Sequence, residues 1–331
     1  MAKRPIGKLA SSPIIKRHSA NPILMASDVP FESKLAYNPG VVKWKGKYVM
    51  VFRSDHGWDP QKKKAPHFRL GVAESDDGVA WRVRETPLRE ADGEEDLAYH
   101  DPRLMLVEDR LILTHSCLTK HGEVGVICET DLETATELSR TAPDNRNLVV
   151  FPEKIGGRYF RLERPFPIMS RDNEPKFDIW MSESPDLMFW GESRPLLTLE
   201  EVPFANERLG AGSAPLRTDE GWLIVFHACD RDETRGKNGW EDNWQRRYTA
   251  GVMLLDLEDL RRKLAWSRVP LMVPEAPYET EGGFRNDVVF PTALVPEEDG
   301  TAKLYYGACD SWICLAETSV DELVAFAKSG G

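Results

Sequence analysis

Long apolar runs are missing from this 331-residue chain: no stretch reaches 18 apolar residues, so no membrane-spanning helix is expected. Basic charge is also short. Lys and Arg number 43 against 54 Asp and Glu, a formal net charge of −11, which removes the global basic footprint of a nucleic-acid binder. The basic N-terminus, MAKRPIGKLASSPIIKRHSANP, has no apolar segment behind it and does not read as a signal peptide. Cysteine is sparse and odd in number, and Cys117, Cys128, Cys229, Cys309 and Cys314 show no metal-type pairing. They lie in or beside apolar strand-like runs and read as buried, reduced thiols of a cytoplasmic protein. No H-x-x-x-H or H-E-x-x-H occurs, so no metal site is expected, and GAGS at 210–213 lacks the Lys-Ser/Thr of a P-loop. Helix signals are few as well. SVDELVAFAKSG reads as one short helix, about 319–329, with Ser319 as its cap.

What is present is a repeat. A turn followed by an apolar strand with a polar end recurs as GKYVMVFRSD, DRLILTHS, GRYFRLERP, GWLIVFHACD and AKLYYGACD. Each copy has an upstream partner: NPGVVKW, HDPRLMLV, RNLVVFPEKI, GAGSAPLRT and NDVVFPTALV. Each also has a downstream partner, and three of those end in an E-S or E-T pair with an acidic turn: Glu74-Ser75, Glu183-Ser184 and Glu317-Thr318. Five units of at least three antiparallel strands predict an all-β chain folded as one five-bladed β-propeller with a central channel. About the first 20 residues are expected to be an N-terminal extension.

In such a ring the start of a blade's first strand and the end of its second share one rim. Blade by blade, that rim collects Asn38, Arg53, Ser54 and Asp55; Asp101 and His115; Arg146, Asn147 and Arg164; Arg208 and His227; and Asn286, Asp287 and Asp310. Any one polar strand end is most simply a solvated one. Three arginines and a histidine on successive blades would repel one another unless an anion lay among them, and arginine forks match phosphate oxygens.

At this point the chain resembles the inverting β-mannoside phosphorylases of glycoside hydrolase family 130. The matching stretches are YNPGVVKWKGKYVMVFRSD, HDPRLMLVEDR, NRNLVVFPEKIGGRYFRLERP, FDIWMSESPDLMFWGE, LGAGSAPLRTDEGWLIVFHA, LLDLEDL and VVFPTALV…LYYGACD, in order over nearly the whole chain. The DIWMSESPDLMFWG stretch leans towards the 4-O-β-mannosylglucose phosphorylase branch. The resemblance implies that Asp101 is the general acid, its proton relayed through a sugar hydroxyl. It implies that Arg146, Asn147, Arg164 and His227 hold phosphate. It puts Asn38, Arg53, Asp55 and Asp310 around the mannose ring, with Arg69 beside them. Two departures stand out. Arg208 occupies the place of an expected lysine, keeping the charge in another shape. The charged segment 229–247, with Trp240 and Trp244, is longer than the pattern.

The chemistry suits such a residue set. An inverting glycosidase needs an acid and a base, roughly 6.5–9.5 Å apart, to place water. Phosphate is already an anionic nucleophile, so one acid and a cationic cradle suffice, and holding the two substrates together supplies much of the rate. Arg103 is expected to ion-pair with Asp101 and orient it. Trp58, Trp240, Trp244 and Tyr248 fall in rim loops and suit sugar stacking, whereas Trp44, Trp81, Trp190 and Trp222 fit the core. The expected partners are a small mannoside and phosphate, with no cofactor; a homo-oligomer is compatible with the sequence. Two other readings stay open: a β-mannoside hydrolase on the same propeller and a non-catalytic sugar-binding propeller. So do the acceptor (glucose, mannose or N-acetylglucosamine) and the linkage (β-1,4 or β-1,2).

Overall fold

The computed structural model describes residues 6–59, 61, 67–167, 171, 174–236, 239–240 and 244–331. Most of the 61–64 basic stretch lies outside the described residues. Five antiparallel sheets stand around a channel, each running from an inner strand outward. The inner strands of blades one to five are Leu35–Trp44, Asp96–Val107, Asn145–Val150, Arg208–Ala211 and Val289–Pro296. The second strands are Lys47–His56, Arg110–Thr119, Tyr159–Pro165, Gly221–Arg231 and Thr301–Ala308. Third strands follow at His67–Ser75, Gly122–Thr130, Ile179–Ser184, Arg246–Leu255 and Trp312–Ser319. The expected repeat is therefore the blade itself.

The unbroken apolar runs of the second strands have a packing cause. Alternate side chains leave opposite faces of a strand, and each face of a blade is covered by a neighbouring blade. The core is accordingly divided into wedges. Val49, Val51 and Leu70 of blade one meet Leu104 and Leu113 of blade two. Leu162 and Ile179 of blade three meet Trp222 and Phe226 of blade four. Trp222 is fully buried, as expected, while Trp44, Trp81 and Trp190 are only partly so.

The E-S pairs of blades one and three cap turns. Ser75 Oγ accepts from the amides of Asp77 (3.2 Å) and Gly78 (2.8 Å), and Asp77 Oδ1 accepts from Val79 and Ala80. Ser184 and Asp186 repeat the arrangement in blade three. Side-chain acceptors thus satisfy amides that the tight turn leaves without a ladder. In blade five the residue after the E-T pair is a helix cap: Ser319 Oγ accepts from Glu322 N, and the helix Val320–Ser329 packs Leu323, Val324 and Phe326 into the wedge between blades four and five.

The N-terminal segment is less of an extension than its composition suggests. Lys16–Arg17 pairs with the third strand of blade five (Lys16↔Glu317, Arg17↔Ala316) and forms that blade's outer strand. Arg17 is clamped on the fully buried Glu279, with Nε 2.8 Å from Oε1. Two paired residues leave no periodicity to read, so only the folded ring reveals the closure.

Candidate active site

The first three blades use one device to aim side chains into the channel. Their inner strands carry a register shift between Tyr37 and Gly40, between His100 and Arg103, and between Arg146 and Val149. Within these bulges Asn38, Asp101 and Asn147 have φ of 51°, 47° and 57°. Asn and Asp tolerate this left-handed region better than other side chains, and a bulge turns a side chain out of the strand's alternation. The strand holding Asp101 starts at Asp96, so Asp101 does not open a strand at the rim; it lies within one, buried. The bulge breaks the period-two pattern and makes the strand look shorter in sequence.

These bulges feed a small cavity of ≈ 70 Å³ lined by Asn38, Arg53, Asp101, Arg146, Arg164 and Asp310, with Trp244, Tyr248, Arg285, Val288 and Phe290. Asn38 Nδ2 donates to Asp101 Oδ1 at 2.7 Å. Gly307 makes room for that amide, since a Cβ there would lie 1.9 Å from Asn38 Oδ1. The other carboxylate oxygen of Asp101 is 4.0 Å from Arg146 Nη2, and the same nitrogen is 2.6 Å from Glu123 Oε1. Burial pushes the Asp101 carboxyl up, but the charges of Arg146, Arg103 and Arg53 outweigh it and hold the group well below the usual carboxylate range.

Arg103 acts differently from expectation. It does not pair with the Asp101 carboxylate but donates to the carbonyls of Asp101 (2.9 Å), Pro102 (3.0 Å) and Gly212 (2.7 Å), staking the bulge to blade four across the channel. Burial draws its own pKa down to about 10.

A cationic corner faces Asp101. Arg164 Nη1 lies 3.1 Å from His227 Nε2, and Arg164 forms no ion pair among the described residues. Burial, with Arg146 and Arg208 nearby, pulls its pKa down to about 9. Burial and the Arg164 charge likewise drive His227 well below the ordinary histidine range, so its imidazole is neutral. Both polar atoms of the Asn147 amide are buried without a hydrogen-bond partner, as are Nε of Arg146, Arg164 and Arg208 and Nδ1 of His227. Each such group costs about 1–3 kcal/mol, and their concentration at one place marks a site awaiting a ligand. Arg208, the residue in the lysine place, pairs with Glu207, which also accepts from Arg246 Nε at 3.0 Å. Burial pushes the Glu207 carboxyl up, but Arg208 and Arg246 prevail and hold it down at about 2.

On the opposite side, Arg53 is held in a two-point ion pair by Asp55 (2.7 Å twice), and Tyr37 Oη donates to Asp55 at 2.9 Å. Asp55 therefore stands behind Arg53 rather than lining the cavity. Asp310 takes a hydrogen bond from Arg285 Nη1 at 3.0 Å, and its pKa is raised by burial against the pull of Arg285 and Arg53. Tyr248 lines the cavity with Trp244 stacked parallel to it, ring centroids 6.0 Å apart.

Three expected rim residues are elsewhere. Arg69 lies off the cavity, its Nε 2.9 Å from Glu90 Oε1. His115 points towards blade one, where its Nε2 is 3.2 Å from Arg89 Nη1 and its ring meets Tyr99. Asn286 turns its side chain to the amide of Gly283 (3.1 Å). Alternation explains Asn286, whose neighbour Arg285 takes the channel; Arg69 and His115 lie on third and second strands and pack between blades one and two instead. Conversely, Arg285 and Glu123 escaped sequence reasoning. Arg285-Asn286 repeats the Arg146-Asn147 pair of blade three, a visible signal; Glu123, a lone acid at the start of a third strand, offers none.

Comparison with known proteins bears on this geometry. The family model for β-1,4-mannooligosaccharide phosphorylases of glycoside hydrolase family 130 matches residues 8–329. A β-1,4-mannooligosaccharide phosphorylase of Ruminococcus albus is 30% identical over 96% of this chain and 91% of its own. A β-1,2-mannobiose phosphorylase of Listeria innocua is 28% identical over 94% of this chain and 97% of its own. The solved structure of the Listeria innocua enzyme with β-1,2-mannobiose superposes with a TM-score of 0.81, at 25% identity, covering 95% of this chain and 99% of that one.

Proposed function

This chain belongs to glycoside hydrolase family 130, whose members among its relatives are mannoside phosphorylases, and from that premise we propose that it cleaves a β-1,4-linked mannoside with inorganic phosphate to α-mannose 1-phosphate. Mannosylglucose or a manno-oligosaccharide is the substrate class. The linkage rests on the matching family model and on the Ruminococcus albus relative, with the β-1,2 relative as the competing case.

The observation that carries the reading is Arg164. A buried guanidinium with a neutral histidine in front and two arginines beside it carries a desolvation and repulsion cost that a bound anion relieves. Phosphate held by Arg146, Asn147, Arg164, Arg208 and His227 would attack C1 of a mannose seated on Asn38, Arg53, Asp310 and Tyr248. The C1–O bond breaks with inversion, and the leaving oxygen takes a proton from a sugar hydroxyl that Asp101 reprotonates. Asp101 is ionised in the ligand-free protein, so it must gain a proton first. Bound phosphate favours this by cancelling the field of Arg146, the largest of the charges that hold the carboxyl down. A hydrolase would instead need a free carboxylate base. Glu123 and Glu207, the acids beside the cationic corner, are both committed to arginines. Five buried cysteines without disulfides support a reducing, cytoplasmic setting.

The test is incubation with β-1,4-mannobiose, β-1,4-mannosylglucose and β-1,2-mannobiose, with and without phosphate. Mannose 1-phosphate of α configuration should form from the β-1,4 compounds only when phosphate is present. Free mannose released without phosphate would overturn the reading in favour of hydrolysis.

Glu123 carries a separate prediction as a positioning residue. It holds Arg146 at 2.6 Å, against 4.0 Å to Asp101. In Glu123→Gln the guanidinium is released towards Asp101 and deepens the depression of its pKa. Activity needs protonated Asp101 and is lost as pH rises through its pKa, so the alkaline limb should move down by about one pH unit, worth ~1.4 kcal/mol. KM for phosphate should hold or fall. An unmoved limb with raised phosphate KM would show that Glu123 only supports the fold.

A further inference from the structure

Beyond the cavity lies a group of rings that the reaction outlined above does not use. Trp58 follows the second strand of blade one, and Trp240 belongs to the long blade-four connection. They meet edge to face, with centroids 5.2 Å apart. Phe284, ahead of blade five, stands edge-on to both at 6.2 and 6.4 Å. Leu35 and Tyr37 pack behind them, and Lys34 Nζ lies 5.2 Å from the Trp240 ring.

The connection is docked here by its backbone. Trp240 N donates to Phe284 O at 2.9 Å. Gly239 has φ +84°, and a Cβ on it would lie 2.5 Å from Phe284 O, so this approach requires glycine. The rings are continuous with the cavity. Arg285, which lines it and bonds Asp310, has its guanidinium 4.9 Å from the Phe284 ring and 4.8 Å from the Trp244 ring. Both tryptophans remain partly exposed.

Inversion gives these rings a direction. Phosphate and the leaving oxygen occupy opposite faces of C1. The cationic corner is built by blades three and four, through Arg146, Arg164, Arg208 and His227. The leaving sugar must therefore point towards blades five and one, where Phe284 and Trp58 stand. We propose that Trp58 and Trp240, backed by the buried Phe284, form an aromatic clasp that takes the apolar face of the leaving-side sugar, or of the acceptor in the reverse direction. The clasp deepens the phosphorolysis reading and rests on it for its direction. It selects saccharide leaving groups, and longer ones over shorter, because rigid aromatic faces give contact area at little entropic cost.

The test pairs Trp240→Ala and Trp58→Ala with the conservative Trp240→Phe. Calorimetric titration of β-1,4-mannobiose and β-1,4-mannotriose without phosphate reads binding alone, and steady-state phosphorolysis reads KM for each substrate. In the alanine variants the saccharide Kd and KM should rise roughly ten-fold or more. The phosphate KM should stay within about two-fold, and Trp240→Phe should recover most of the saccharide binding. Unchanged saccharide affinity in both alanine variants, or equal loss of phosphate and saccharide affinity, would overturn the clasp. Wild-type protein that binds mannotriose through the clasp but shows no phosphate-dependent turnover would sink the phosphorolysis reading and leave the clasp standing. Absence of saccharide binding overturns the clasp whatever the phosphate assay returns.

Discussion

Replacing Asp101 by Asn is expected to cut phosphorolysis of a β-1,4-mannoside by about 10²–10⁴-fold in kcat, the usual contribution of a positioned general acid. The substitution is close to isosteric. The amide oxygen can still accept from Asn38 Nδ2, and the bulge is held through the Asp101 carbonyl by Arg103, not through the side chain. The left-handed φ of 47° also suits Asn. Lost turnover should therefore come without lost fold. The charge change has its own consequence. Asp101 has a depressed native pKa, so its ionised form stabilises the ligand-free protein above the ordinary carboxylate value, and that support is lost as pH falls through the native value. At neutral pH the Asn variant lacks it, and the surrounding arginines are less compensated. Its Tm should be lower without ligand, and its phosphate-induced rise in Tm larger than that of the wild type. Turnover near the wild-type level in the Asn variant would remove Asp101 from the chemistry.

Arg164→Met is expected to remove phosphate saturation altogether. Truncating one partner of a buried charge interaction costs about 2–5 kcal/mol, roughly 30- to several-thousand-fold in phosphate affinity. Stability should move the other way. Arg164 has a native pKa near 9, below its unfolded value. A base with a depressed native pKa is penalised in its charged form. That cost is fully present below the native pKa and is relieved only as pH rises beyond it. At pH 7 the ligand-free wild type bears the cost, and the methionine variant does not. The variant should melt at the same temperature or higher without phosphate. Wild type should gain about 2.7 kcal/mol at a phosphate concentration a hundred times Kd, and the variant nothing. Thermal melts across a phosphate series measure both effects at once. A variant that melts lower and still responds to phosphate would mean that Arg164 is structural.

The two substitutions probe residues with different degrees of sequence visibility. Asp101 was conspicuous because a His-Asp-Pro-Arg run interrupts an apolar strand, and Arg164 because a repeat unit ends on it. Their partners were not. Glu123 and Arg146 are 23 positions apart on neighbouring blades, and only the ring brings them within 2.6 Å. Arg103 looked like a counter-ion for its neighbour, yet its reach carries it to the Gly212 carbonyl of blade four at 2.7 Å. Arg69 and His115 lie off the cavity for different reasons. His115 lies in the middle of a strand that runs on to Thr119, so it does not reach the rim, and Arg69 sits on an outer third strand, where its guanidinium meets Glu90 rather than the channel.

The amino-acid sequence by itself determined the blade. Five copies of an apolar run bounded by turn residues, with E-S pairs capping turns in blades one and three, depend on local propensity and two-sided burial, and both are written residue by residue. It also determined which residue types the channel would hold, since polar ends on apolar strands have few other places to go. Tertiary structure decided which of those side chains reach the cavity and what charge state each carries. That choice depends on three bulges at Asn38, Asp101 and Asn147, on the closure of blade five by Lys16–Arg17, and on fields from arginines of the same and adjoining blades. Each is a relation between distant segments, fixed only when the ring shuts.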